Sequence, residues 1–134
     1  MPKLLLLAAV ALCLPGCCVN TVVSKAKSPD GRCTAVLFTR DCGATVAVSN
    51  HVSVKRGPEW PGRHGNVFVA NSGGGLAQSA EAGGPSVDMR WFGANRLLIR
   101  YERGAGVFRR ETHHRGVAVL FEVADPHGGP SGQR

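Results

Sequence analysis

Past its first sixteen positions, the 134-residue chain nowhere sustains an apolar residue every 3.6 places. That absence excludes a helix bundle and leaves strands as the building material. No apolar run is long enough to cross a bilayer and stay there. The longest, the eleven residues Leu4 to Leu14, would reach roughly 16 Å as a helix, against about 30 Å of hydrocarbon. The motifs that announce catalysis are missing too: no His-Glu-x-x-His, no Gly-x-Ser-x-Gly, and no carboxylate pair whose spacing assigns an acid and a base. The Gly-rich stretch 71–85 lacks a Gly-Lys-Ser/Thr ending and precedes no helix, which excludes a phosphate loop. Metal-ligand spacing is absent as well. His113 and His114 are adjacent, so on a strand they point to opposite faces, and His51, His64 and His127 stand near no cysteine or carboxylate pattern. No catalytic residue, metal or cofactor is expected.

What is present begins at the N-terminus. Behind one cation, Lys3, the apolar run ends in Leu14-Pro15-Gly16-Cys17, the layout of an export signal. No A-x-A-like corner follows closely; Ser24-Lys25-Ala26 lies too far downstream for ordinary cleavage. The corner instead resembles a bacterial lipoprotein signal, in which an aliphatic residue and two small ones precede a cysteine. Leu14, Gly16 and Cys17 fill three of those places, while Pro15 departs from the usual Ala or Ser. The resemblance implies a signal peptide over 1–16, a diacylglyceryl thioether on the Cys17 sulfur, cleavage after Gly16 and an acyl group such as palmitate on the new amine. A thiolate suits the first step because it is a good nucleophile. Each buried methylene contributes ~0.8 kcal/mol and one chain anchors only marginally, so several chains on Cys17 would hold the protein to the membrane. Cys18 follows the anchor where Asp would signal inner-membrane retention. The expected location is therefore the cell envelope, on the outer membrane facing the periplasm if the cell has two membranes.

The remaining chain has room for a single domain, residues 17–124. Without Lys3 it carries 15 basic and 9 acidic residues, a net +6. An exported basic domain meets anionic headgroups and wall polyanions, not nucleic acid. Seven arginines fall between Arg90 and Arg115, either as a polyanion-binding face or as the solvated strand surface of an arginine-rich chain. Of the five cysteines, Cys13 leaves with the signal and Cys17 takes the lipid. Cys33 and Cys42 cannot pair, since the residues between them read as one strand and would hold them roughly 30 Å apart, against about 7 Å for a bridge.

Taken in order, Val19 to Lys27 reads as a strand and Ser28-Pro29-Asp30-Gly31 as a reversal, giving a hairpin onto Cys33 to Arg40. If Ser28 sits opposite Arg32, Cys18 falls opposite Cys42, a candidate disulfide that a one-residue slip would break. Val46, Val48, Val52 and Val54 then alternate with Ala47, Ser49, His51 and Ser53, predicting one buried and one wet face, with Asn50 interrupting the apolar side as a bulge or strand end. Residues 55–65 are a loop carrying Trp60, either an exposed contact or a lid on the core edge. A short strand follows over 66–70, then the flexible Gly-rich loop 71–85. Further strands are predicted over 86–91, 96–101, 107–111 and 117–123, with a turn at His113-His114-Arg115-Gly116, and 125–134 reads as a disordered tail. The expected fold is all-β, a small antiparallel meander closed as a sandwich or an open barrel.

The segments Ser28 to Thr45, Gly65 to Asn71 and Trp91 to Tyr101 together resemble a family of small exported bacterial proteins of unknown function, many of them lipoproteins. The resemblance implies a shared fold and an envelope location but no activity. Its most specific part is Arg40-Asp41-Cys42-Gly43-Ala44-Thr45, and Cys33 departs from the pattern, as an unpaired thiol would. The expected function is a non-enzymatic binding or structural module, attached to the membrane through Cys17 and touching an envelope protein or polyanion. Two other readings stand beside it. One is an envelope enzyme or redox protein using Cys42, Asp41 and Arg40, with His51 as base. The other is a periplasmic inhibitor of a wall hydrolase, presenting the Trp60 or Gly73-Gly74-Gly75 loop.

Overall fold

A computed structural model describes residues 17–125; the signal peptide expected over 1–16, and all of the expected tail except Asp125, lie outside the described residues. The fold is all-β. The strands are β1 (Val19–Lys27), β2 (Cys33–Asp41), β3 (Ser49–Arg56), β4 (Phe68–Asn71), β5 (Val87–Gly93), β6 (Arg96–Glu102), β7 (Gly106–Arg110), β8 (His113–His114) and β9 (Val117–Ala124). They form two sheets, β1-β2-β3-β4-β7 and β5-β6-β9-β8, packed as a small sandwich with neither sheet closed on itself.

The connectivity is not the meander expected. After β6 the chain crosses to the first sheet, runs antiparallel to β4 as β7, and returns, so that β6 and β9 end as parallel neighbours. A period-two pattern says which face of a strand is buried but not which sheet it joins. His113 and His114, expected in a turn, form the short strand β8 against β9; the reversal itself is made by Arg115, a non-glycine residue at φ 48°, and Gly116.

The core is where the inner faces meet. Ala35, Leu37, Val52, Val54 and Phe68 from the first sheet pack against Leu97, Ile99, Tyr101, Val117 and Val119 from the second. At one edge Trp91 donates its indole N–H to the Ala26 carbonyl (2.8 Å), stitching β5 to β1 across the sandwich.

The first hairpin contains two offsets. Asp30 accepts from the Ser28 hydroxyl (2.7 Å) and the Arg32 N–H (3.1 Å), so Arg32 is held inside the turn and Ser28 pairs with Cys33 instead (2.8 Å). That shifts the register by one relative to the expectation. A bulge at Val23 shifts it back, restoring Val22 to Phe38 and Val19 to Asp41.

β3 departs from its predicted wet face. His51 and Ser53 are buried along with Val52 and Val54, because residues 57–65 fold over the outer side of β2 and β3 as a strap. Phe38 and His51 stack beneath it at 5.1 Å. The strap approaches so closely at Gly65 that a Cβ there would lie 2.2 Å from the Phe68 carbonyl and 2.8 Å from the Val52 backbone, so only glycine fits. Asn50 stands at the strand end, one residue inside the start of β3 at Ser49, with no bulge there. It sits buried on the inner face and its amide donates to the Pro85 and Gly83 carbonyls.

Segment 71–85, expected to have little to bury, is packed. Ala77 and Pro85 are fully buried, and Glu102 Oε2 accepts from the Ser79 N–H (3.1 Å), the Ser79 hydroxyl (2.7 Å) and the Ser86 N–H (2.9 Å). Burial alone would raise the Glu102 pKa, but these donors outweigh it and leave the carboxyl below its ordinary value.

Candidate functional site

β1 starts two residues behind Cys17, whose thiol is unpaired and exposed. Cys18 is bonded to Cys42, fastening the start of β1 to the chain just past β2. Cys33 is buried and unbridged.

The next side chains along the hairpin's outer face are Asn20 and Arg40, directly opposite each other. Arg40 Nη1 donates to Asn20 Oδ1 (3.0 Å) and to the Arg63 carbonyl (3.2 Å), and Asn20 Nδ2 donates to that same carbonyl (3.1 Å). Arg63 is therefore where the strap lands. Cys18, Asn20, Arg40, Trp60 and Arg63 line one trough of about 390 Å³. Trp60 is 72% exposed, a surface contact and not a lid on the core.

The run Arg40-Asp41-Cys42 is not assembled as a thiol site. Cys42 is in the disulfide and has no thiolate to offer. Asp41 accepts from the Gly43 N–H (3.0 Å) in the turn after β2, the local bonding that Asp favours before glycine. His51 is also committed. Its Nδ1 accepts from the Gly65 N–H (2.9 Å), which puts the ring proton on Nε2, aimed at Ser49 Oγ (2.8 Å). Burial, with lesser contributions from the positive charges of His64, Arg40 and Arg109, pushes its pKa down to about 4. A neutral, enclosed ring with both nitrogens occupied is a structural histidine.

His113 and His114 face opposite ways on β8, the first exposed and the second half-buried. Burial and then Arg115 lower the His114 pKa against the opposing pull of Glu111 and Glu59. Among the described residues, no three His, Cys, Asp or Glu side chains are placed to hold a metal ion.

The seven arginines of 90–115 are divided between the two sheets and their turns. Arg100 faces Glu122 (3.6 Å) and Arg103 bonds Asp125 (2.8 Å). Arg115 grips Glu59 with both terminal nitrogens (2.8 and 3.0 Å). On β7, Arg109 donates to the Gly65 carbonyl (3.3 Å) and Arg110 lies over the Phe121 ring at 5.5 Å. Such paired and separated charges favour a solvated surface over a single polyanion-binding face.

Other cavities lie away from this end, among them one of about 400 Å³ lined by Lys25, Lys27 and Lys55. Another of about 380 Å³ lies at the far end of the hairpin among Asp30, Arg32, Cys33, Arg56 and Arg115. Its guanidiniums are already engaged: Arg115 with Glu59, Arg32 with Asp30 (3.9 Å), and Arg56 with the Arg115 carbonyl (2.6 Å). A largely apolar cleft of about 470 Å³ runs between Val23, Leu37, Pro85 and Val87.

Sequence reasoning singles out Cys17, Cys18, Arg40 and Cys42, and the structure brings the last three to one end of the sandwich, directly after the first. It misses Asn20 and Arg63, because a polar residue on an edge strand and an arginine in a Pro/Gly loop carry no local signal of where that loop comes down. No family model, no curated protein and no solved structure matches this chain.

Proposed function

We propose that this chain is a lipid-anchored β domain of a bacterial cell envelope, held by acyl chains on Cys17 and acting by surface contact instead of catalysis. The observation that carries the reading is the sequence Leu14-Pro15-Gly16 standing immediately before an exposed cysteine, Cys17, which lies two residues ahead of the first strand. A cysteine that is to become the first residue of a mature protein needs to be outside the fold, and Cys17 is. The Cys18–Cys42 disulfide supports an oxidising compartment. Cys18 in place of an Asp supports an outer-membrane destination in a cell with two membranes. An envelope protein or a polyanion is the class of partner that fits a basic domain in that place.

The test is metabolic labelling with a radioactive fatty acid, comparing wild type with Cys17→Ser and fractionating the membranes. Label and membrane association should both be lost in the variant. Label that persists in Cys17→Ser, or a wild-type protein recovered unacylated and soluble, removes the proposal.

A further inference from the structure

We infer that the trough between Cys18, Asn20, Arg40, Trp60 and Arg63 is a site for the phosphate of an anionic phospholipid headgroup, so that the domain reads the charge of the membrane it stands on. The inference rests on the anchor reading and adds a ligand to it.

The first step is reach. From Cys17 to the start of β1 at Val19 there are two peptide steps, at most about 7 Å of chain. The disulfide from Cys18 to Cys42 ties this short tether to both strands of the hairpin, so the domain has no linker on which to swing away. Acyl chains on Cys17 would hold Cys18 and Asn20 at the depth of the headgroups, a layer of about 5–8 Å on each side of the hydrocarbon.

The second step is chemistry. Arg40 is held by Asn20 and the Arg63 carbonyl, and both contacts use Nη1, so the plane of its guanidinium is set before any ligand arrives. A fixed fork of N–H donors matches phosphate oxygens better than a flexible ammonium does. Arg63 adds a second guanidinium from the same loop, and among the described residues it makes no ion pair. The acid at this end is Asp41, whose Oδ1 is turned to the Gly43 N–H. Trp60 is 72% exposed in the wall of the same trough. An indole with an apolar body and one polar edge is favoured at the membrane–water boundary.

The third step is contrast. In the other arginine-lined cavity two of the three guanidiniums, Arg115 and Arg32, are paired with Glu59 and Asp30. It also lies beyond the Ser28–Arg32 turn, a strand of nine residues away, or roughly 30 Å at ~3.3 Å per residue. Among the described residues, the trough combines nearness to the tether with two guanidiniums that make no ion pair.

The experiment uses full-length protein purified from cell membranes and reconstituted into vesicles of phosphatidylcholine alone or mixed with phosphatidylglycerol, with bromine on the acyl chains near the glycerol. Bromine quenches nearby indoles; Trp60→Tyr gives the background from Trp91. Trp60 quenching should be several-fold stronger in the phosphatidylglycerol vesicles. Each arginine near an anionic surface contributes about a fivefold preference, so Arg63→Gln should lose most of the difference, Arg40→Gln more, and added salt should weaken it. Arg63→Gln removes no side-chain bond seen within the described residues, and an unchanged melting temperature would confirm that its fold is intact. Equal quenching in the two vesicle types, or a wild type and Arg63→Gln that cannot be told apart, overturns the site. Quenching abolished by inorganic phosphate at constant ionic strength assigns the trough to the free ion and overturns the bilayer as its occupant. Mass measurement of Cys17 in the same preparation separates the two ideas: acylated protein with unquenched Trp60 sinks the headgroup site alone, whereas unacylated Cys17 sinks the anchor and the site together.

Discussion

Lowering the pH should unload stability chiefly through one side chain, His51, before the carboxylates contribute. In the fold its ring is stacked on Phe38, accepts from Gly65 and donates toward Ser49, and its pKa is about 4 against an ordinary 6.5. The proton therefore binds the unfolded chain first. Stability is complete above pH 6.5, declines as pH falls from there, and stops declining on this account near pH 4. At ~1.36 kcal/mol per pH unit the full effect is about 3 kcal/mol, a large share of the ~5–15 kcal/mol typical of a domain. The measurement is urea unfolding at fixed steps from pH 7.5 to 4 with the disulfide intact, comparing wild type with His51→Gln. Wild type should lose about 1 kcal/mol or more per pH unit below 6.5. The variant should start lower, having lost the ring's contacts, but follow a flatter line. A residual slope is expected from His114, whose pKa is also lowered by burial. Asp30, Glu59 and Glu102, all with lowered pKa values, act in a separate window: their contributions are present above the ordinary carboxylate range and disappear below it. Parallel profiles for wild type and His51→Gln between pH 6.5 and 4.5 would refute the assignment.

Replacing Cys18 or Cys42 with Ser opens a bridge that spans 24 positions, and loop-closure entropy puts the loss at about 3 kcal/mol; an unchanged urea midpoint would show that the bridge constrains nothing. Gly65→Ala places a methyl against the Phe68 and Val52 backbones and should cost about 2–3 kcal/mol, with the strap's amides exchanging faster; a neutral substitution would mean that the strap lifts at no cost. Glu102→Gln removes the charge that gathers the Ser79 and Ser86 donors. It should cost about 1–3 kcal/mol and raise hydrogen exchange over 79–86 while leaving β2 and β3 unchanged; uniform exchange across both would refute its local role.

The class of fold and most strand positions are legible in the sequence because alternation and turn chemistry are local. β1, β2, β4, β5, β6, β7 and β9 lie within two residues of where the pattern puts them. What fails is whatever depends on a distant segment. Alternation marks His51 and Ser53 as outward, which they are with respect to the sandwich, but it cannot foresee that residues 57–65 return to cover them. The same blindness hides the partner of β7, a strand the pattern does place, because its exposed Val107 and Phe108 give no hint that it pairs with β4. Glu102 reads as an ordinary strand-end carboxylate until the loop it gathers is in place.

An even hairpin predicts the Cys18–Cys42 contact, but in the protein that contact depends on two offsets that cancel. The expected hairpin has no irregularity; the real one slips by one residue at the turn, where Asp30 captures Arg32, and recovers that residue at Val23. Either offset alone would put Cys18 beside Asp41 or Gly43, and side chains one residue apart on a strand face opposite ways. The bulge therefore does more than relieve an edge strand: it makes the bridge geometrically available. The same correction brings Asn20 opposite Arg40, and these are the two side chains that catch the Arg63 carbonyl. Deleting Val23 would only remove the surplus residue, leaving Val22 opposite Phe38 and Asn20 opposite Arg40, whereas an alanine inserted after Val23 should separate three things at once, the bridge, the strap's landing point and the trough. The turn around Ser28 and the inner core at Leu37 and Val52 lie on the unaltered side of the bulge and should keep their order. An insertion variant that still forms the Cys18–Cys42 bridge quantitatively, by thiol counting after denaturation, would show that the strand can slip freely and that the bulge sets nothing.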